Sequence, residues 1–80
     1  MTLDQYTHYT NVSGNDCYTP NFLSSISRIT IWNKNQNEIT VETINGELTY
    51  HNYSEFESLL NQYYEERFTT MEQLTSHIDM

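Results

Sequence analysis

Between Ile26 and Tyr63 the spacing of the apolar residues changes from two to three and four, and that change dictates what the chain can fold into. Ile29 and Ile31 alternate with Arg28, Thr30 and Trp32. After the polar run Asn33 to Asn37, Ile39 and Val41 alternate with Thr40 and Glu42. Alternation sends successive side chains to opposite faces of a pleated strand, so these segments read as two strands joined by a turn. Asn45-Gly46 follows, a dipeptide that tolerates the positive φ required at both central positions of a type I′ turn, and a third strand is expected over Glu47 to Asn52. Phe56, Leu59, Leu60 and Tyr63 then recur at i, i+3, i+4 and i+7, a helical stripe with Glu55, Ser58, Gln62, Glu65 and Glu66 on the other side. Ser54 and Glu57 match a capping box at its start. Thr70 and Gln73 match a second, from which Met71, Leu74 and Ile78 carry a shorter stripe towards Met80. The pattern predicts an α+β fold: an antiparallel sheet of three or more strands with one or two C-terminal helices packed on one face.

A two-residue turn at Asn45-Gly46 fixes a register. Pairing Ile44 with Glu47 sets Thr43 opposite Leu48, Val41 opposite Tyr50 and Ile39 opposite Asn52, leaving Glu42, Ile44, Glu47, Thr49 and His51 on the other face. Keeping Ile29 and Ile31 beside Ile39 and Val41 needs a loop with an odd residue count; an even one would turn Trp32 inward. Residues 1–22 are polar and turn-rich around Ser13-Gly14-Asn15-Asp16. They read as an extended arm or a short hairpin from which Tyr6, Tyr9, Val12 and Tyr18 can fold back onto the sheet. Eighty residues supply one core, so 1–80 is expected to be a single domain.

Charge narrows the function. Eleven Asp and Glu against three Lys and Arg leave a net charge of −8. Direct binding to nucleic acid or to an anionic membrane needs Lys and Arg, so neither is expected, and partners should be basic or neutral. A single cysteine, Cys17, permits no intramolecular disulfide and no CxxC site, in keeping with a reducing compartment. Met1 to Thr10 shows neither the basic nor the apolar region of an export signal, and a cytoplasmic location is the expectation. His8, His51 and His77 lack the spacing that sets metal ligands on one helical face, and isolated Gly14 and Gly46 cannot cradle a phosphate. The chain is therefore expected to be no enzyme, with no catalytic residue, metal or cofactor.

What remains is acid beside aromatics. Glu38, Glu42, Glu47, Glu55, Glu57, Glu65, Glu66 and Glu72 fall where the pattern predicts exposure, and three basic residues cannot neutralise them. An array of unpaired carboxylates can occupy the phosphate-binding groove of a nucleic-acid protein and gains speed from electrostatic steering. Tyrosines beside it would anchor the contact. The candidate partner-binding residues are Glu65, Glu66 and Tyr64 at the helix end, Glu42 and Glu47 on the hairpin, and Tyr53.

Over residues 29–64 the order strand, strand, Asn45-Gly46 turn, strand and Ser54-capped helix ending in Leu59, Leu60, Tyr63 and Tyr64 resembles that of small type I-F anti-CRISPR proteins. The acidity and the Tyr64-Glu65-Glu66 segment resemble acidic anti-CRISPRs that occupy the DNA-binding cleft of Cas9. The resemblance implies a phage-borne, non-catalytic inhibitor, monomeric or homodimeric, that binds a basic DNA- or RNA-handling complex, with a CRISPR effector favoured. Two other readings stay open: an inhibitor of another DNA enzyme, such as a restriction or repair enzyme, and a small assembly protein with a tyrosine-rich homo-oligomeric interface.

Overall fold

Each alternating segment forms a strand in the computed structural model, which describes residues 2–35 and 37–78. Five strands, β1 (Tyr6–Thr10), β2 (Asp16–Pro20), β3 (Ile26–Ile31), β4 (Glu38–Thr43) and β5 (Leu48–Asn52), lie side by side in chain order, each antiparallel to the next. The helices α1 (Phe56–Glu65) and α2 (Met71–Ile78) follow and pack against the sheet, giving the expected α+β architecture. No helix among the described residues is long and apolar enough to cross a membrane.

The core forms where alternation and helical stripe meet. Ile29 pairs with Val41 and Ile31 with Ile39 across an odd-numbered loop, so all four share the face under α1. There they join Leu59 and Leu60, with Phe56 and Tyr63 packed at the margin. Burying each such side chain is worth about 1.5 to 3 kcal/mol before conformational entropy is charged against it. Ile26 belongs to the same cluster only because the β3–β4 register shifts between Ile26 and Arg28. Strict alternation would have placed Ile26 on the face of Arg28. The extra residue, Ser27, re-aims it inward, and the Ser27 hydroxyl donates to the Glu42 and Thr43 carbonyls at the irregularity.

The N-terminal segment is a hairpin whose two strands extend the sheet. Tyr6 enters the core, and its hydroxyl donates to the Leu60 carbonyl at 2.9 Å. Tyr18 packs beside it, Tyr9 lies on the opposite face, and Val12 sits fully exposed at the tip.

At Asn45-Gly46 the structure departs from the sequence reading. The Thr43 N–H donates to the Glu47 carbonyl at 2.8 Å, and the Gly46 N–H to the Thr43 carbonyl at 3.0 Å, so Ile44, Asn45 and Gly46 make a three-residue loop. Only Gly46 has positive φ, +84°; Asn45 does not. A type I turn closed by one left-handed glycine spares Asn45 the conformation that type I′ demands, and the Thr43 hydroxyl accepts the Glu47 N–H at 3.0 Å. One additional loop residue slides the register by one. Val41 faces Thr49, Ile39 faces His51, and Glu42 faces Leu48. Thr49 and His51 therefore share the helix-covered face, while Leu48 and Tyr50 join Glu42 on the open one. Helix α1 likewise begins later than Ser54 and Glu57 imply. A 3₁₀ turn, Tyr53–Glu55, comes first, and it is Glu55 whose carboxylate accepts the Asn52 N–H at 2.9 Å. At α2 the Thr70 hydroxyl accepts the Gln73 N–H as expected, but the Gln73 side chain reaches back to Thr69. Leu74 is half-buried, Met71 and Ile78 are exposed, and Met80 lies outside the described residues.

Candidate protein-docking surface

Charge is concentrated outside the core because α1 turns its apolar stripe to the sheet. Asp4, Glu38, Glu47, Glu55, Glu57, Glu65, Glu66 and Glu72 are all exposed. Among the described residues one carboxylate, Glu42, is paired with a Lys or Arg: it accepts from Arg28 at 2.8 Å. Two more face histidines, Asp16 with His8 at 2.7 Å and Glu55 with His51 at 3.7 Å. The other seven exposed carboxylates have no ion-pair partner among the described residues.

The six candidate binding residues occupy three places. Tyr64, Glu65 and Glu66 end α1. Tyr64 is half-buried: its ring meets Phe22 edge-on at 5.3 Å, and the Arg67 guanidinium lies over it, 4.2 Å from the centroid. Arg67 also donates to the Tyr64 carbonyl at 2.9 Å, satisfying a terminal helix acceptor. Glu65 and Glu66 stay exposed at the negative end of the helix dipole, where a carboxylate costs about 0.3 to 1 kcal/mol. Their placement brings no local stability. Burial, reinforced by the Glu66 charge, pushes the neighbouring Tyr63 hydroxyl up.

Tyr53 lies at the other end of α1, roughly 15 Å away at 1.5 Å per residue. It is half-exposed and stacked on Phe56 at 6.0 Å, beside a hollow lined by Asp16, Tyr18, Ile31, Asn33 and Tyr53. The Tyr18 hydroxyl there is pushed up by burial, then by Asp16 and Tyr53. Glu47 caps the tip of the β4–β5 hairpin. Glu42 lies on the open face of the sheet, half-buried and tied to Arg28, which also donates to the Tyr9 hydroxyl at 3.3 Å. Those two bonds, Tyr9 first, hold the guanidinium charged well above its ordinary range. The helix end and the hairpin thus present separate surfaces.

The open face escaped the sequence reading. Across it runs a lateral row, Tyr9, Cys17, Thr30, Thr40 and Tyr50, one residue from each strand. Small side chains fill the middle and tyrosines stand at the edges. Trp32 donates its indole N–H to the Thr40 hydroxyl, and Cys17 is fully buried beneath its neighbours. The signal that would have exposed this face is the Thr43 hydroxyl at the start of the loop, which favours the three-residue turn and turns Leu48 and Tyr50 outward.

For chemistry, no group of three His, Cys, Asp or Glu side chains among the described residues converges to hold a metal ion. No family model, curated protein or solved structure matches the chain.

Proposed function

We propose that the protein is a non-catalytic inhibitor that docks an acidic, DNA-mimicking surface on a basic nucleic-acid-handling complex, with a bacterial CRISPR effector as the favoured target. The observation that carries this reading is the set of exposed carboxylates without cationic partners, above all Glu65 and Glu66 at the one helix end where they oppose local stability. At the other end of α1 Glu57 is exposed as well, roughly 12 Å along the axis from Glu65, so unpaired negative charge stands at both ends of the helix. A Lys- and Arg-lined channel gains from such an array twice, through encounter rate and through release of its condensed anions.

The deciding measurement is DNA cleavage by purified CRISPR effectors with the protein added, across a salt series. Inhibition should weaken as salt rises, because charge contacts are screened beyond about 8 Å at physiological ionic strength. The double reversal Glu65→Lys, Glu66→Lys should abolish inhibition while the melting midpoint holds or rises, since it complements the helix dipole. Inhibition undiminished by that reversal removes the helix end from the interface; absence of salt-sensitive inhibition across the panel removes the reading.

A further inference from the structure

The sheet has two edges, and the chain finishes them differently. On β1 the side chains are engaged: Thr7 donates to Asn21 at 2.6 Å, His8 bonds Asp16 at 2.7 Å, and Tyr9 accepts from Arg28 at 3.3 Å. On β5 they are not. Leu48 is 50% and Tyr50 72% exposed. Backbone parity compounds this. Thr43 bonds Glu47 and the Tyr53 N–H donates to Asn37, so odd-numbered residues of β5 turn their N–H and C=O groups to β4. Leu48, Tyr50 and Asn52 turn theirs outward. The Asn52 N–H is taken by Glu55, which leaves the groups of Leu48 and Tyr50 facing out. The segment Leu-Thr-Tyr-His-Asn contains no proline, lysine or register shift, the devices that ordinarily blunt an edge.

Charge decides what can pair there. Glu47 stands at the start of the strand. At its end, Glu38 and Glu55 line a hollow with Tyr50, His51 and Asn52. We propose that β5 is a strand-addition edge for an extended segment of a basic partner protein, carrying β-branched residues between two terminal Lys or Arg side chains. Main-chain bonds to Leu48 and Tyr50 would hold the segment, and its cationic ends would meet Glu47 on one side and the Glu38–Glu55 hollow on the other. A second copy is the poorer occupant. Antiparallel pairing of β5 with itself sets Glu47 of one copy against Glu38 and Glu55 of the other, carboxylate against carboxylate. The proposal stands on a different element from the α1 surface and does not require it.

The test uses the full chain and a synthetic peptide, N-acetylated and C-amidated Lys-Val-Thr-Val-Thr-Arg, titrated by NMR with amide hydrogen exchange as the second readout. Saturable binding should protect the Leu48 and Tyr50 amides and leave those of His8 and Thr10 unprotected. Leu48→Pro, at the first strand position where proline is tolerated, and Tyr50→Lys should each weaken binding at least about tenfold with folding intact. The peptide with Glu at both ends should bind at least about tenfold more weakly as well. Glu65→Lys with Glu66→Lys should leave the affinity within about threefold, separating this edge from the helix end. Protection on β1, affinity unmoved by both β5 variants, no saturation at millimolar peptide, or a peptide-free dimer joined through β5 would each overturn the assignment.

Discussion

In the β1–β2 hairpin, Asn11 pairs with Asn15 around Val12, Ser13 and Gly14; in the β4–β5 hairpin, Thr43 pairs with Glu47 around Ile44, Asn45 and Gly46. Both loops put a glycine at the fourth position, φ +82° and +84°, and in both the first side chain accepts the N–H of the fifth residue. The turns are one device used twice. The outer strands are not alike. Strand β1 sends Tyr6 into the core, 6% exposed and bonded to α1, whereas no residue of β5 is buried. A local turn sets the path of a hairpin, and a single long-range aromatic decides how firmly its outer strand is held.

The largest test of that contrast is Tyr6→Ala against Tyr50→Ala. Removing a buried aromatic should cost about 3 to 5 kcal/mol, a large share of a small domain's stability, while the exposed Tyr50 should cost within about 0.5 kcal/mol. Urea denaturation of both variants measures it. Similar losses would mean that β5 is anchored by contacts as strong as those of β1.

Tyr6 also gives the contrast a pH signature. Burial, with Tyr63 adding to it, pushes its hydroxyl well above the ordinary value near 10. The unfolded chain therefore releases this proton first. Stability from this group is complete below about pH 10 and falls as pH climbs beyond it, because the unfolded state then binds fewer protons than the folded one. Tyr6→Phe should cost about 0.5 to 1.5 kcal/mol at neutral pH, by removing its bond to the Leu60 carbonyl, which keeps its helical N–H partner, yet show a shallower loss above pH 10. An alkaline limb identical to that of the parent chain would assign the loss to Tyr18 and Tyr63 instead.

Gly14→Val and Gly46→Val should each cost about 1 to 2 kcal/mol, and nearly the same amount. A Cβ at either position meets nothing within 4 Å, so the positive φ alone carries the penalty. Unequal thermal melts would show that one loop relaxes to another turn.

How much of this was legible in the sequence differs between the two hairpins in an instructive way. The α+β order, the Ile29, Ile31, Ile39, Val41 face and the Leu59–Leu60 stripe followed from periodicity, because burial enforces period two in strands and three to four in helices. The β4–β5 register did not. Asn45-Gly46 satisfies either a two- or a three-residue loop, and the choice rests on the Thr43 hydroxyl and the cost of a left-handed Asn45, terms of under a kilocalorie or two that periodicity does not see. That one residue reversed β5 and turned Leu48 and Tyr50 outward. Ile26 shows the same limit, since its burial depends on a bulge at Ser27 that no alternation announces. Of the candidate binding residues, the exposure of Glu65, Glu66 and Glu47 was readable from the stripe and the turn. The bond of Glu42 to Arg28 and the packing of Tyr64 on Phe22 were not, because both join segments far apart in the chain.

The smallest effect tests whether the shared first-position side chain selects the loop. The Asn11 side-chain oxygen accepts the Ser13 and Asn15 N–H groups, both at 3.0 Å, and Asn15 is buried; the Thr43 hydroxyl accepts only the exposed Glu47 N–H. Asn11→Ala should therefore cost about 1 kcal/mol and Thr43→Ala about 0.5 kcal/mol, since water can replace the hydroxyl at an exposed tip but less readily at Asn15. Asn11→Asp, which keeps both acceptor bonds, should recover most of the loss. Cross-strand NMR contacts supply the second readout for Thr43→Ala. If Gly46 holds the loop, Val41 keeps Thr49 opposite it. A shift to Val41 opposite Tyr50 would mean that the hydroxyl alone separates the two registers, and that Asn45-Gly46 reverts to a two-residue turn once it is removed.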